Sequence, residues 1–264
     1  MPSVSNIAVG AAMAGAAATK ARHQMNESIA RLSTGIRSMY GGDAAGQSVA
    51  NSLGAKGASF AVAARNAEDG ISFLQSAESV LLEMASLTTR LRELGIQYAN
   101  NAILTLTDEA ALNAEATAIG DALESVASKT TFNGVVMVGN ATAITVGIND
   151  QSNTATIGTA TSIVNANTGL ITGANGIEAS ADTALGDIAE SLGNVAAGMA
   201  GLKGYQSVAS NSAANLKAAA ARIQDTDFAL ETAALTKASV LNQSAMAMVA
   251  QANQAQQTIL AVIQ

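Results

Sequence analysis

Apolar residues recur at alternating steps of three and four near both ends of the chain, the spacing of a helix that packs along another helix. Near the C-terminus this repeat consists of Leu241, Ala245, Met248, Ala252, Ala255, Ile259 and Val262. Near the N-terminus, with one extra residue at about 21–25, it consists of Val4, Ile7, Ala11, Ala14, Ala18, Ala21, Met25, Ile29, Leu32, Ile36 and Met39. The pattern predicts a long helix at each end.

These two end segments share an unusual chemistry, because residues 1–19 and 238–264 contain no charged side chain. An ordinary surface helix has a charged face toward water. A helix without such a face should be surrounded by protein on most sides, and one partner helix cannot do this. We therefore predict that the two ends pair, that they are disordered in the monomer, and that they fold when neighbouring copies of the chain enclose them.

The central part of the chain predicts further helices separated by turn residues. Asp43 is a suitable N-cap for a helix that runs from about 44 to 100. A second helix is predicted to start at Thr107 and to end at Asn133-Gly134. A third extends from about 183 to Ile223, and Asp225 and Asp227 mark a junction before the terminal helix.

Between these helices the period changes to two, which predicts short strands. The alternating residues are Val136, Val138, Ile144, Val146 and Ile148. A turn is expected near Asn149-Asp150, and surface loops up to about Asp182. The predicted fold class is mainly α, a long antiparallel coiled-coil and helical bundle with a small β-hairpin insert.

This pattern also predicts a domain organisation. The two end segments should form one coiled-coil domain, and the central helices a bundle domain that bears the β-hairpin and loops. The predicted segments are 1–42 and 227–264 for the coiled coil, 43–134 and 183–226 for the bundle, and 135–182 for the hairpin and loops.

The composition excludes several functional classes. The chain has 264 residues, of which 49% are hydrophobic and only 3% aromatic, with no Trp and no Cys. Such a core suits close-packed helices better than a ligand pocket. The net charge of −7 and the lack of a basic run speak against nucleic-acid binding. The apolar run from Ile7 to Ala18 is too short to span a bilayer, so no membrane insertion is expected.

No constellation of catalytic or metal-binding residues is found in the sequence. His23 is the only histidine, which leaves no multi-His or Cys/His metal site. Asp225 and Asp227 are interpreted as caps rather than as paired catalytic carboxylates. We therefore expect neither an enzyme nor a cofactor.

Several separate motifs resemble those of bacterial flagellins, in the same order. They cover nearly the whole chain apart from about 135–182, and they are Ser28 to Arg37, Asp43 to Gln47, Arg65 to Ser72, Arg90 to Leu94, Thr131 to Gly134, Arg222 to Phe228 and Gln251 to Leu260.

The resemblance implies a structural subunit that polymerises into the helical flagellar filament for motility, with the terminal helices in the filament core. It implies secretion to the extracellular filament by type III export. The partners it implies are other copies of the chain, the export apparatus, an export chaperone, and the filament cap and hook-junction proteins.

Some residues gain a specific role from this resemblance. The polymerisation core would contain Val4, Ile7, Ala11, Met25, Ile29, Leu32, Leu241, Ala245, Met248, Ala252, Ile259 and Val262. By position, Arg90, Leu94 and Glu115 match the flagellin surface read by a Toll-like innate receptor, and packing between subunits is the alternative role for them. Asn140, in Asn140-Ala-Thr142, fits a glycosylation acceptor.

Two other functions remain open at this stage. A hook–filament junction protein has similar ends, but the complete Gln251 to Leu260 and Arg90 to Leu94 motifs favour a filament subunit. A membrane-active secreted helical protein is the alternative from a different class, although the uncharged ends lack the basic face that anionic lipids attract.

Overall fold

The computed structural model describes residues 2–37, 42–138, 144–148, 153–157 and 176–263. Most of these residues are helical, and four short strands lie between the third and fourth helices. In chain order the elements are α1 (Pro2–Thr34), α2 (Ala44–Tyr98), a 3₁₀ turn (Asn101–Ile103), α3 (Leu106–Lys129), β1 (Thr131–Phe132), β2 (Val135–Val136), β3 (Ile144–Gly147), β4 (Thr154–Ile157), α4 (Ile177–Gln224) and α5 (Phe228–Ile263). The predicted fold class is confirmed.

Helix α1 ends earlier than its apolar repeat predicts. It stops at Thr34 because Gly35 adopts a positive φ of 71°, the left-handed conformation that commonly terminates helices. The amide of Gly35 still donates to the Arg31 carbonyl over 2.8 Å. Ile36 therefore lies beyond the helix, and Met39 lies outside the described residues.

Asp43 caps helix α2 as predicted. Its Oδ1 accepts a hydrogen bond from the Gly46 amide at 2.8 Å, which satisfies a donor of the first turn. The helix then continues without a break to Tyr98, close to the predicted end. Its length agrees with the absence of proline between residues 3 and 264, since no residue there removes a backbone donor.

The N-cap of α3 is Thr105, so the predicted start at Thr107 is wrong by two residues. The Thr105 hydroxyl accepts from the Asp108 amide at 3.3 Å, and the Asp108 carboxylate accepts from the Thr105 amide at 3.0 Å. This reciprocal pair is a capping box. A helix with Thr107 as its N-cap would be less stable, because it would lack the reciprocal hydrogen bonds between Thr105 and Asp108.

Asn133-Gly134 forms a hairpin turn rather than the end of a helix. Both residues have positive φ, 51° and 80°, as a tight turn between antiparallel strands requires. The turn joins β1 to β2, and a second antiparallel pair joins β3 to β4, with Ile144 opposite Ile157. The predicted single hairpin is thus two small hairpins. Val138 is buried but lies outside the strands, and the predicted turn at Asn149-Asp150 lies outside the described residues.

Helix α4 begins at Ile177, where loop was expected up to Asp182. The start follows Gly176, which has a φ of 80°. Ile177 is buried against Gly95 of α2, where an added Cβ would lie 2.9 Å from the Glu178 amide nitrogen. Glycine at position 95 thus permits close contact between the end of α2 and the start of α4. The apolar period does continue back through Ala184 and Ala181 to Ile177, but alanines are a weak signal in a sequence this rich in alanine.

The chain forms two compact units. Unit 1 contains residues 1–55 and 215–264, and unit 2 contains residues 56–214. The large buried side chains of the main core cluster all belong to unit 2, and the best buried of them are Leu74, Leu81, Met84, Leu91, Leu94, Leu123, Val138, Ile188, Val195 and Leu202.

Candidate assembly surface

Helices α1 and α5 pack along each other in unit 1, which confirms the predicted pairing of the two ends. Their direction is antiparallel: Ile36 lies opposite Asp225, and Arg31 faces Glu231. The buried positions between them are small residues, namely Ala18, Ala21, Ser28, Ala238 and Ala245. We call this buried line the seam. Because these side chains are short, the two helix backbones approach closely.

The seam of α1 keeps a regular three-four spacing through Ala18, Ala21, Met25 and Ser28, so the predicted extra residue is absent. Ser28 is buried in place of Ile29, which is 48% exposed. The prediction of Ile29 as a seam position is therefore wrong. A serine there fits the narrow gap between the helices, whereas a β-branched isoleucine fits it poorly.

The seam of α5 likewise differs from the predicted one. It follows Ala238, Asn242, Ala245, Val249 and Ala252, which are buried or half-buried. Leu241 and Met248, predicted in the seam, are 47% and 63% exposed. Ala245 and Ala252 belong to both the predicted stripe and the observed one. The helices meet along the stripe that also contains Ala238 and Asn242.

The remaining predicted core residues fall into two groups. Ala11, Met25, Leu32 and Ala252 are half-buried on the paired helices. The backbones of Val4, Ile7, Ile259 and Val262 are helical, but their side chains lie outside the described part of the structure.

Polar groups interrupt this seam at two levels. Glu231 is buried, and its Oε1 lies 3.6 Å from Nη1 of Arg31. The buried Oδ1 of Asn242 has no hydrogen-bond partner. A buried acceptor without a donor costs about 1–3 kcal/mol, so this residue weakens the helix pair. Neither the Arg31–Glu231 pair nor the burial of Asn242 was predicted from the sequence, since both depend on the phase of the seam.

Arg37 ties the turn after α1 to the C-terminal end of α4. Its Nη2 donates to the Ile223 carbonyl at 3.1 Å and to Asp43 Oδ2 at 2.8 Å, and its amide donates to the Gln224 carbonyl at 2.8 Å. A cation at this position satisfies carbonyls that the helix end leaves free. The Gly46 amide and the Arg37 guanidinium together lower the pKa of Asp43 from its ordinary value.

The outward faces of α1 and α5 bear large apolar side chains within segments 1–19 and 238–264, which contain no charged residue. We call this set the outer apolar face, and its members are Val9, Met13, Val240, Leu241, Met246 and Met248, each about half exposed or more. Isolated exposed apolar side chains are ordinary on a soluble protein. Several of them on the uncharged segments of one helix pair indicate a protein contact surface.

In unit 2, Arg90 on α2 bridges to α3. Its Nη2 donates to Glu115 Oε1 at 2.6 Å, and its Nη1 donates to Glu93 Oε2 at 3.1 Å. These hydrogen bonds, the Glu115 bond first, raise the pKa of Arg90. About half of each side chain of the Arg90–Glu115 pair is exposed, so both lie on the surface. The structure thus brings these two predicted residues together.

Leu94 does not belong to that surface, which corrects the prediction that grouped it with Arg90 and Glu115. Its side chain is 0% exposed and belongs to the core of unit 2. Residues 84, 91 and 94 follow the stripe of α2 that faces the core, and Arg90 lies at the exposed edge of that stripe, from which its long side chain reaches α3. A partner cannot contact Leu94 without unfolding the helix.

Few other chemical features are found in the described ranges. Asn140, the predicted glycosylation acceptor, lies outside them. Within them no group of three His, Cys, Asp or Glu residues is placed to hold a metal ion. No helix among the described residues is long and apolar enough to cross a bilayer.

Two sequence profiles match the chain, one at each end. The bacterial flagellin N-terminal helical region matches residues 5–143, and the bacterial flagellin C-terminal helical region matches residues 178–263. The first covers α1, α2 and α3, and the second covers α4 and α5.

The chain belongs to the bacterial flagellin family.

Relatives of similar length support this assignment. Flagellin FlaB2 of Treponema pallidum is 32% identical over 90% of this chain and 92% of its own. A flagellin of Halalkalibacterium halodurans is 31% identical over 91% and 92%. The flagellar filament 33 kDa core protein of Treponema phagedenis is 32% identical over 90% and 92%. These names favour a filament subunit over a hook–filament junction protein or a membrane-active protein.

Membership of the flagellin family gives this chain its functional class. It is a structural subunit of the bacterial flagellar filament, and it polymerises with copies of itself. Its place is the filament at the bacterial surface. The outer apolar face is the candidate surface for the contacts between copies.

Proposed function

We propose that the α1–α5 pair forms the core of the filament and that its outer apolar face is the surface through which copies contact one another. One observation carries this proposal. The face exposes six large apolar side chains on helices whose adjoining segments, 1–19 and 238–264, contain no charge. Burying such side chains between copies stabilises the polymer by about 25 cal/mol per Å² of apolar surface removed from water.

The contacts should be heterologous, so that one patch of a subunit meets a different patch of the next. Repetition of such a contact with a rotation and a rise gives a helical filament of indefinite length. Small shifts between packed helices then allow alternative lattice states.

The proposed core residues act in two ways. Ala11, Met25, Leu32, Ala245 and Ala252 hold α1 and α5 together within one subunit. Ile29, Leu241 and Met248 face outward and contact neighbouring subunits. Val4, Ile7, Ile259 and Val262 are retained as members of the polymerisation core because of their apolar spacing.

The experiment places a charge on the outer apolar face. Leu241→Asp and Met248→Asp should each abolish filaments, because an unpaired carboxylate buried between copies is strongly unfavourable. The matched controls are Leu241→Met and Met248→Leu, which keep size and polarity and should polymerise normally. Sedimentation and electron microscopy after seeding measure the outcome, and circular dichroism checks that each variant remains helical. Normal filaments from both Asp variants would contradict the proposal.

We further propose the domain organisation that follows from this role. Segments 1–42 and 227–264 form the inner coiled-coil domain, 43–134 and 183–226 form a bundle domain, and 135–182 forms the hairpin and loops. Deleting residues 238–264 should leave unit 2 folded and prevent polymerisation. Filaments formed by that truncated chain would contradict the assignment.

The remaining partners are proposed from family membership. The chain is secreted through the flagellar export apparatus with an export chaperone, and it meets the filament cap and hook-junction proteins during assembly. Its role is mechanical and not enzymatic. These proposals are tested by secretion of the chain from a flagellated host that lacks its own filament protein.

A contact with a Toll-like innate receptor is proposed for Arg90 and Glu115 alone. The two side chains are partly exposed and joined by a hydrogen bond of 2.6 Å, which presents a fixed polar surface. Arg90→Ala should weaken the response in a receptor reporter assay, with Arg92→Ala as the neighbouring control. An unchanged response to Arg90→Ala would exclude this site.

A further inference from the structure

The methionines among the described residues differ widely in exposure, and Met25 and Met199 are half-buried. Met13, Met246 and Met248 are 69%, 55% and 63% exposed in unit 1, whereas Met84 and Met137 are 0% and 7% exposed in unit 2. Methionine is a flexible apolar residue that usually fills gaps in a core. Three highly exposed methionines on one helix pair are therefore not explained by packing within the subunit.

The three exposed methionines lie at nearly the same level along the α1–α5 pair. The register is set where Ile36 lies opposite Asp225 and Arg31 faces Glu231. Because both helices rise about 1.5 Å per residue in opposite directions, Met13 lies level with Met248. Met246 is about half a turn from Met248 on α5, so these two side chains project from opposite flanks of that helix. All three belong to the outer apolar face.

We propose that Met13, Met246 and Met248 are oxidation sites through which a two-electron oxidant of the peroxide class blocks assembly of free subunits. A sulfur lone pair attacks one peroxide oxygen and the O–O bond breaks. The thioether becomes a sulfoxide, and the peroxide is reduced to water after proton transfer. Sulfoxide reductases reverse this modification. The inference rests on the proposed function, since it requires that the outer apolar face lies between copies.

The consequence for assembly follows from the change in polarity. A sulfoxide has a strong acceptor oxygen that must lose its water when the face is covered. Free subunits should therefore lose the ability to polymerise when oxidised. Assembled subunits should be protected because neighbouring copies cover the same sulfur atoms.

The first experiment compares oxidation of free and assembled subunits. Dilute chain and preformed filaments receive the same dose of hydrogen peroxide, and peptide mass spectrometry quantifies sulfoxide at each methionine. We expect Met13, Met246 and Met248 to be oxidised at least about tenfold faster in the free chain than in the filament, following their exposure. Met84 and Met137 should resist in both samples. Equal oxidation of the three exposed methionines in both samples would overturn the inference.

The second experiment measures the effect on assembly. Oxidised chain should show a critical concentration for polymerisation at least about tenfold higher than untreated chain, because polar groups must be buried. The variant with Met13→Leu, Met246→Leu and Met248→Leu should show the same critical concentration with and without peroxide, because leucine has no sulfur to oxidise. The corresponding triple Met→Gln variant should fail without any oxidant.

The outcomes distinguish the two proposals. If Asp variants at Leu241 and Met248 polymerise normally, the proposed function fails. If those variants behave as expected but fully oxidised chain still polymerises at its normal critical concentration, only the oxidation inference fails. If the triple Leu variant remains sensitive to peroxide, another residue is responsible and the assignment is wrong.

Discussion

The two compact units differ in which side chains they bury. Unit 2 buries leucines and a methionine completely, for example Leu74, Leu81, Met84 and Leu91. Unit 1 buries mainly alanines and a serine along the seam, and leaves its large apolar residues outside. Burying a leucine contributes about 1.5–3 kcal/mol, whereas a methyl group contributes about 0.8 kcal/mol. Unit 2 is thus stabilised by its own core, and unit 1 depends on what covers it.

The largest expected contrast comes from truncating one leucine to alanine in each unit. Leu91→Ala should lower the free energy of unfolding of unit 2 by about 2–5 kcal/mol, because it leaves a cavity in a close-packed core. Leu241→Ala should lower the stability of the unassembled chain by less than about 0.5 kcal/mol, since the side chain is half exposed. Urea unfolding followed by circular dichroism measures both.

Leu241→Ala should impair polymerisation much more than it lowers the stability of the free subunit. Leu241→Ala should raise the critical concentration although the subunit remains folded. Equal losses of subunit stability for the two variants would contradict the contrast between the units.

The seam should tolerate small residues only. Ala245→Leu should destabilise the α1–α5 pair by about 1–3 kcal/mol, because overpacking forces the helices apart. The resulting rise in critical concentration is measured by sedimentation. Ala245→Ser is the matched control at the same position and should polymerise normally. If the leucine is accepted without loss, the seam does not have the close spacing described above.

Removing the unpaired acceptor of Asn242 should strengthen the helix pair. Asn242→Ala should stabilise it by about 1 kcal/mol, because the cost of a buried oxygen without a donor disappears. Hydrogen exchange of α1 and α5 peptides in dilute chain should slow accordingly. Gln243→Ala, on the exposed side of the same helix, should have no effect. Faster exchange in Asn242→Ala would show that the amide has a partner.

The smallest expected effect is a pH dependence at the cap of α2. The pKa of Asp43 is lower in the folded chain than its ordinary value of 3.8, so its contribution is present above pH 3.8 and is lost as the pH falls through the folded pKa. Asp43→Asn retains a capping side chain but should lose this acid sensitivity. Acid titration followed by circular dichroism compares the two, and identical acid transitions would mean that Asp43 does not contribute.

Most of the helical architecture was predictable because its signals are local. Asp43 and Asp227 act as caps as predicted: Asp43 starts α2, and the Asp227 carboxylate accepts from the amides of Ala229 and Leu230. The apolar period located the bodies of all the long helices. The start of α3 was missed by two residues, because Thr105 and Thr107 are both suitable caps and only the reciprocal bond with Asp108 decides between them.

The phase of the seam was less predictable because it depends on two helices at once. In α5 the predicted and observed stripes share Ala245 and Ala252, so the sequence of one helix cannot choose between them. The choice depends on the fit of Ala238 and Asn242 against α1. For the same reason the outward position of Leu241 and Met248 became clear only from the paired helices.

The burial of Leu94 shows a different limit. Resemblance to a family motif identified the Arg90 to Leu94 stretch as a surface, but Leu94 lies on the core stripe with Leu91, and Arg90 lies at the exposed edge of that stripe. A contiguous stretch of sequence on a helix always contributes to more than one face. The surface role therefore applies only to its exposed members.

Hydrogen exchange of dilute chain and of assembled filaments tests most directly whether unit 1 depends on neighbouring copies. We predict that amides of α1 and α5 exchange rapidly in dilute chain and gain strong protection in the filament. Amides of α2 near Leu81 and Leu91 should be protected equally in both. Full protection of α1 and α5 in dilute chain, with no gain on assembly, would contradict the account.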